Sequence, residues 1–330
     1  MQQLGQDIEN RTFKRCYLLY GDEDYLRKQY KDKLLKALVT EGDTMNFNRY
    51  EGKDINIGEV IDQAETMPFF ADKRVIYIED SGLLKSGGEQ LADYLSQSAP
   101  DTVIILNESN VDKRSKLFKA VTNAGRAVEF VKQPEETLRK WILGKIKKEG
   151  KSIDIRALDI LLERTGTDMT TISTELEKLF SYTMNKDSIS TADVEDIVTV
   201  STSSKVFDMI SAMAEKKQSA ALEMYHDLLA HKETPFGILA LITRQFNMML
   251  QISELLEGGS YGKRIADTLS IPSFAEQKYE RQLKNFSKKT LRKALDACAA
   301  ADENVKIKGM LPELSVELLI IEYSTVNIHS

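Results

Sequence analysis

The first third of the chain alternates short, unbroken apolar runs with stretches of helical periodicity. Cys16-Tyr17-Leu18-Leu19-Tyr20 stops at Gly21-Asp22, and Arg74-Val75-Ile76-Tyr77-Ile78 is closed by Glu79-Asp80. Thr102-Val103-Ile104-Ile105-Leu106 is closed by Asn107-Glu108. Ala127-Val128-Glu129-Phe130-Val131 predicts a fourth strand, and the weak alternation of residues 45–50 a further one. Between the first two runs, Tyr25, Leu26, Tyr30, Leu34, Leu35 and Leu38 fall on one face of a helix, and Ile57–Thr66 reads as another. Strands apolar at every position need cover on both faces, which implies a parallel sheet with helices on each side. Residues 1–133 are therefore expected to form an α/β domain.

At Pro134 the strand pattern stops. Pro134 suits the first turn of a helix, and Glu135 and Glu136 favour the positive end of its dipole. That helix is expected to run through Trp141 and Ile142 to about Glu149, with Gly150 as its terminator. Further helices are expected at 154–165, 168–182 and 191–200, the last opening on the capping-box-like Ser190-Thr191-Ala192-Asp193. The polar stretch Ser201-Thr202-Ser203-Ser204 reads as a linker, which closes a small helical domain at 134–204. Over 235–256, Leu239, Ile242, Phe246, Met249, Ile252 and Leu256 recur every three or four positions. Ser287 can cap a helix carrying Leu291, Ala294, Leu295 and Cys298, and another follows Pro312. Residues 205–330 are thus expected to be a helical C-terminal domain.

Composition narrows the function classes. A chain of 330 residues has room for two or three domains. No apolar run approaches the roughly 20 residues of a membrane span, and Met1–Asp7 lacks the basic head and apolar core of a secretory signal. Cys16 and Cys298 are too few for a disulfide framework or a structural zinc site, and both are expected in the core. The expected compartment is the cytoplasm. A net charge of −6 argues against a general coat for polyanions but leaves room for a local basic patch. The one-sided segment is 278–293, with Lys278, Arg281, Lys284, Lys288, Lys289, Arg292 and Lys293 opposed only by Glu280. It reads as a nucleic-acid contact or as a solvated helix face.

An α/β domain followed by a small helical one is the plan of many ATPases. A phosphate loop needs G-x-x-x-x-G-K-[ST] between a strand and a helix, so that backbone N–H groups and the lysine surround the phosphates. The first strand-to-helix turn, Gly21-Asp22-Glu23-Asp24-Tyr25-Leu26-Arg27-Lys28, has one glycine and three carboxylates where the phosphates would sit. Gly150-Lys151-Ser152 follows a helix and has Lys145 in place of the first glycine, and Gly82–Glu89 ends on an acid instead of the lysine. Glu79-Asp80 and Asn107 stand where such ATPases keep metal-binding and sensing residues, but without a phosphate loop they have no Mg·ATP to serve. His226 and His231 lack the spacing of a helical zinc pair, and neither they nor His329 sits beside a nucleophile. No catalytic residue, metal site or cofactor is expected.

Met67-Pro68-Phe69-Phe70-Ala71-Asp72-Lys73-Arg74 is the unusual segment. Adjacent aromatics cannot share a face of a regular element, and Pro68 ends the helix before them. Either both rings fold back into the core, or a stiff loop presents an apolar wedge to a partner's groove, with Asp72, Lys73 and Arg74 as its polar rim. Taken with Tyr17–Leu26, Thr102–Leu106, Asp112-Lys113-Arg114-Ser115-Lys116-Leu117, Glu175–Leu179, Val206-Phe207-Asp208 and Arg244-Gln245-Phe246, this segment resembles the successive signatures of the delta subunit of bacterial DNA polymerase III.

That resemblance, over about residues 15–325, implies a clamp-loader subunit with an ATPase-like (AAA+ type) domain, a helical lid and a helical collar. It implies assembly with delta-prime and the ATP-hydrolysing gamma/tau subunits, contact with primer–template DNA inside that complex, and binding and opening of the sliding clamp (beta) without ATP hydrolysis by this chain. By the same resemblance the clamp-binding element is Pro68, Phe69, Phe70, Ala71 and Arg74, with phenylalanine-phenylalanine in place of the usual leucine-phenylalanine. The collar aromatic with which some members meet the template is missing from Val305–Leu311, which leaves Lys306 and Lys308, together with Lys284, Lys288 and Arg292, as DNA or subunit contacts. The neighbour-completing Ser-Arg-Cys motif is also missing. A degenerate ATPase and a purely structural helical scaffold are the competing readings.

Overall fold

Apolar side chains on both faces drive the five N-terminal runs into one buried sheet. In a computed structural model, which describes residues 1–269, 271 and 273–325, the chain divides into two compact units, Met1–Gln133 and Pro134–Ser330. The first contains α1 (Gln2–Glu9), β1 (Cys16–Tyr20), α2 (Asp24–Leu38), β2 (Phe47–Glu51), α3 (Ile57–Glu65), β3 (Arg74–Glu79), α4 (Glu89–Leu95), β4 (Thr102–Glu108), α5 (Lys116–Ala124) and β5 (Arg126–Glu129). All strand pairs are parallel, in the order β2-β3-β4-β1-β5. β5 stops two residues short of the expected end, although the Phe130 N–H still donates to the Tyr20 carbonyl at 2.7 Å.

Alternation sorts the strand side chains onto two faces. Cys16, Leu18, Ile76, Ile78, Ile104 and Leu106 pack against Val60 and Ala64 of α3, Leu91 and Leu95 of α4, and Leu117 and Val121 of α5. Tyr17, Leu19, Val75, Tyr77, Val103 and Ile105 point the other way and are equally buried. α2 packs against β1, and α1 against α2. The short, glutamine-rich α1 shows no strong pattern in sequence.

The second unit contains α6 (Glu135–Lys148), β6 (Ser152–Ile153), α7 (Ile155–Thr165), α8 (Met169–Tyr182), β7 (Ser188–Ile189), α9 (Thr191–Ile197), α10 (Thr202–Ala214), α11 (Gln218–Ala230), α12 (Pro235–Glu257), α13 (Lys263–Leu269), α14 (Ser273–Leu283), α15 (Lys288–Lys306) and α16 (Pro312–Ser324). Gly150 (φ +73°) follows α6, with the Gly150 N–H on the Lys147 carbonyl and the Lys151 N–H on that of Ile146. This is a glycine-terminated helix end, not half of a phosphate loop. One core gathers Ile142, Leu161, Leu162, Leu176 and Val194, and a larger one Met209, Tyr225, Ile242, Phe246, Leu291 and Ile320. Cys16 and Cys298 are free thiols in the cores of their units.

The linker expected at 201–204 is instead the start of a helix. Ser201 caps α10 by accepting from the Ser204 N–H, and its own N–H donates to the Arg164 carbonyl at 2.7 Å. The Ser204 hydroxyl donates to the Glu163 carbonyl at 2.9 Å. The polar run that suggests a flexible joint therefore serves as a cap, and the boundary expected after 204 falls inside the first turn of α10. The α/β-plus-helical class expected of the chain is what the structure has.

Candidate functional site

Where β1 turns into α2, the place a phosphate loop would take, the turn is bonded to the chain's own groups. Gly21 (φ +118°) lies so close to the end of β5 that a Cβ there would fall 2.2 Å from the Phe130 carbonyl oxygen. That carbonyl accepts the Glu23 N–H at 3.0 Å. The buried Glu23 caps α2 by accepting from the Tyr25 N–H at 3.3 Å, and Lys132 Nζ lies 3.3 Å from its carboxylate. A fixed carboxylate thus occupies the helix N-terminus, where a bound phosphate would exploit the same dipole.

The acids at the carboxyl ends of β3 and β4 are also occupied. Glu79 accepts from Asn107 Nδ2 at 2.7 Å and pairs with Arg49 at 3.0 Å. Glu108, buried, accepts from the Ser81 and Gly82 N–H groups and the Ser81 hydroxyl. Burial, with Glu79 alongside, pushes the Tyr77 phenol up. These groups tie strand ends together. Asp80 is exposed with φ +50°. Among the described residues no group of three or more His, Cys, Asp or Glu side chains is arranged to hold a metal ion. His226 faces Glu317 at 3.7 Å and His231 bonds the Asp227 carbonyl, both at the surface, while His329 lies outside the described residues.

The loop between α3 and β3 carries the two most exposed large apolar side chains described in the first unit, Met67 and Phe70. Met67 is 83% exposed, Phe69 55% and Phe70 96%. A left-handed backbone at Phe70 (φ +52°) brings the consecutive rings together, edge to face with centroids 4.5 Å apart. That conformation costs a non-glycine residue about 1–2 kcal/mol and persists only where the surroundings impose it. Here Asn46 supplies the constraint. Its Oδ1 accepts the Phe69 N–H at 2.6 Å and its Nδ2 donates to the Phe69 carbonyl at 2.9 Å. Asp43 accepts from the same Nδ2 at 2.8 Å, and that bond holds its carboxyl below the ordinary range. Lys73 donates to the Pro100 carbonyl at 3.0 Å.

Arg74 departs from the role expected of it. It is 5% exposed, and its guanidinium donates to Gln63 Oε1 at 2.7 Å, Asn48 Oδ1 at 3.0 Å and the Met45 carbonyl at 3.3 Å. As the first residue of β3 it points inward, so the polar rim expected around the wedge does not include it. It braces the loop's base. Pro68 and Ala71 are half-buried beside the rings. Phe69, Phe70, Ala71, Lys73, Asp43 and Lys36 border a cavity of about 620 Å³. Nothing in the sequence singles out Asn46 or Asp43, because residues 45–50 look only like a weak strand.

The basic residues of the second unit are dispersed. Lys278 pairs with Glu163, Lys288 with Glu257 at 2.7 Å, and Arg292 with Glu254 at 3.5 Å. Lys306 pairs with Asp302 at 2.8 Å, Lys308 bonds Asn304 at 2.8 Å, and Lys284 is exposed. The turn between α14 and α15 splits the 278–293 run, so it is not one continuous stripe.

Residues 17–131 match the family model for DNA polymerase III, delta subunit, and residues 203–323 match that for the delta subunit's C-terminal domain. The chain is 26% identical over 319 residues to DNA polymerase III subunit delta of Bacillus subtilis, covering 93% of this chain and 92% of that one. It is 25% identical over 293 residues to the probable subunit delta of Aquifex aeolicus, covering 84% and 82%. Among solved structures it is similar to the DNA clamp loader delta protein of Bacillus subtilis, with TM-score 0.64, 25% identity and coverage of 98% and 99%. No described helix is long and apolar enough to cross a membrane.

Proposed function

As this chain belongs to the DNA polymerase III delta subunit family, a clamp-loader family of DNA replication, we propose that it binds the sliding clamp through the Phe69–Phe70 loop and opens it without hydrolysing ATP. The observation that carries this reading is the pair of exposed rings, packed edge to face on a backbone constrained from beneath. A flexible loop would lose much of its binding energy to ordering, whereas a braced one delivers its apolar area to a groove at little entropic cost. Burial of both rings contributes roughly 3–6 kcal/mol. Phe69→Ala with Phe70→Ala is therefore expected to abolish retention of the chain by immobilised clamp while its circular dichroism and melting stay those of the parent. Retained affinity would refute the assignment of this loop.

The parallel order β2-β3-β4-β1-β5 and the self-bonded turn at Gly21–Asp24 suit an AAA+-type domain that positions a partner-binding loop instead of a nucleotide. In this reading α6 to α9 form the lid and α10 to α16 the collar, through which the chain joins gamma/tau and delta-prime subunits around primer–template DNA. Lys284, Lys288, Arg292, Lys306 and Lys308 are the proposed DNA or subunit contacts. Most are engaged in exposed pairs, each worth about 0–1 kcal/mol, which a phosphate readily displaces.

A further inference from the structure

The loop's geometry points to a residue that acts on it from below. Resting on the reading of Phe69–Phe70 as the clamp-binding wedge, we infer that Asn46 is its positioning residue, holding the two rings in their binding conformation before any partner arrives.

Asn46 is 4% exposed and sits one position before β2, where its carbonyl accepts the Val75 N–H at 2.8 Å. It is thereby fixed to the sheet. Its own N–H donates to Asp43 Oδ1 at 2.9 Å. The carboxamide then makes a two-point grip on one residue of the loop, accepting from the Phe69 N–H and donating to the Phe69 carbonyl. Its second amide hydrogen goes to Asp43 Oδ2. Turned the other way, the carboxamide would set its oxygen against the Phe69 carbonyl and the Asp43 carboxylate, so only one orientation satisfies all three partners.

The grip matters because of the next residue in the chain. Phe70 holds φ +52°, and a loop free to relax would leave that region and separate the rings. With Phe69 pinned on both main-chain groups, the turn at Phe70 is imposed by its neighbours. Phe70 itself touches little besides the Phe69 ring and remains 96% exposed, as a surface awaiting a partner must. Asn46 need not touch the clamp. It removes the ordering cost that the wedge would otherwise meet on binding.

The test uses the full chain and purified sliding clamp. Asn46→Ala is expected to weaken clamp binding by about tenfold or more, and to accelerate amide hydrogen exchange at Phe69 in the free chain. Asn46→Asp keeps an acceptor for the Phe69 N–H but opposes a carboxylate to the Phe69 carbonyl and Asp43. Its affinity relative to the parent is expected to fall at neutral pH and recover towards about pH 4–5, as the acid regains a proton to donate. If Phe70→Ala abolishes binding while Asn46→Ala leaves it unchanged, the positioning role is overturned and the wedge stands. Should Phe69→Ala with Phe70→Ala also bind normally, the wedge reading itself fails. If Asn46→Ala does not fold, a flat pH profile of Asn46→Asp relative to the parent overturns the role on its own.

Discussion

Asp193 closes a capping box with Ser190 at the start of α9 and also receives Lys186. The Lys186 bond, followed by the bonds from Ser190, brings its pKa down from 3.8 to about 2. A carboxylate whose pKa is lower in the folded chain stabilises the fold above its unfolded value and loses that contribution as pH falls through the folded one. Asp193→Asn is therefore expected to cost about 1–2 kcal/mol at neutral pH. The deficit should shrink between pH 3.8 and about 2, followed by urea melts across that range. A deficit unchanged at low pH would show that shape, not charge, matters there. At the same scale, Arg74 and Asn46 show how a residue's address is decided. Arg74 stands next to the wedge in sequence yet faces the interior, while Asn46 lies far along the chain and holds Phe69.

Among the elements, α1 is held to the sheet by polar side chains, Asp7 foremost, with Gln3 accepting a further bond from Arg126. The buried Asp7 accepts from the Tyr17 hydroxyl at 3.1 Å and from Arg126 Nε at 2.7 Å and Nη2 at 3.0 Å, tying α1 to β1 and β5. Besides Leu4, the helix offers little apolar anchorage. Asp7→Ala leaves a largely buried guanidinium and a phenol without their acceptor, and is expected to destabilise the first unit by about 2–4 kcal/mol in urea unfolding. Asp7→Asn, which keeps an acceptor but not the charge, should cost less. The loop between α3 and β3 is the opposite kind of element. Its apolar side chains face solvent, and its stability comes from main-chain bonds to Asn46 and the Lys73 tether.

On the scale of the whole molecule, the self-bonded turn at Gly21–Asp24 predicts indifference to nucleotide. A ligand at one hundred times its Kd would add about 2.7 kcal/mol of stability. Millimolar Mg·ATP is expected to leave the melting temperature unchanged and to be turned over at no rate above background, whereas saturating sliding clamp should raise the melting temperature. A clear shift with Mg·ATP that is lost in an Asp80→Ala chain would favour a degenerate ATPase.

The five strands of the first unit, most long helices and the missing phosphate loop were legible in the sequence, whereas β6 and β7, two residues each and paired with one another, fall where the strand pattern was read as ended. Unbroken apolar runs allow only a doubly covered sheet, and a phosphate loop is a local pattern that is either written or not. The Phe69-Phe70 pair was legible as an anomaly, because adjacent rings fit no regular element. Its exposure, the inward turn of Arg74, the capping role of Ser201 and the grip of Asn46 belonged to the tertiary structure. They turn on which distant groups arrive beside a residue: the Phe69 N–H and carbonyl at the Asn46 carboxamide, Gln63 Oε1 at the Arg74 guanidinium, the Arg164 carbonyl at the Ser201 N–H. Periodicity along the chain reports burial of its own elements and carries no record of such partners, so only the folded chain decides them.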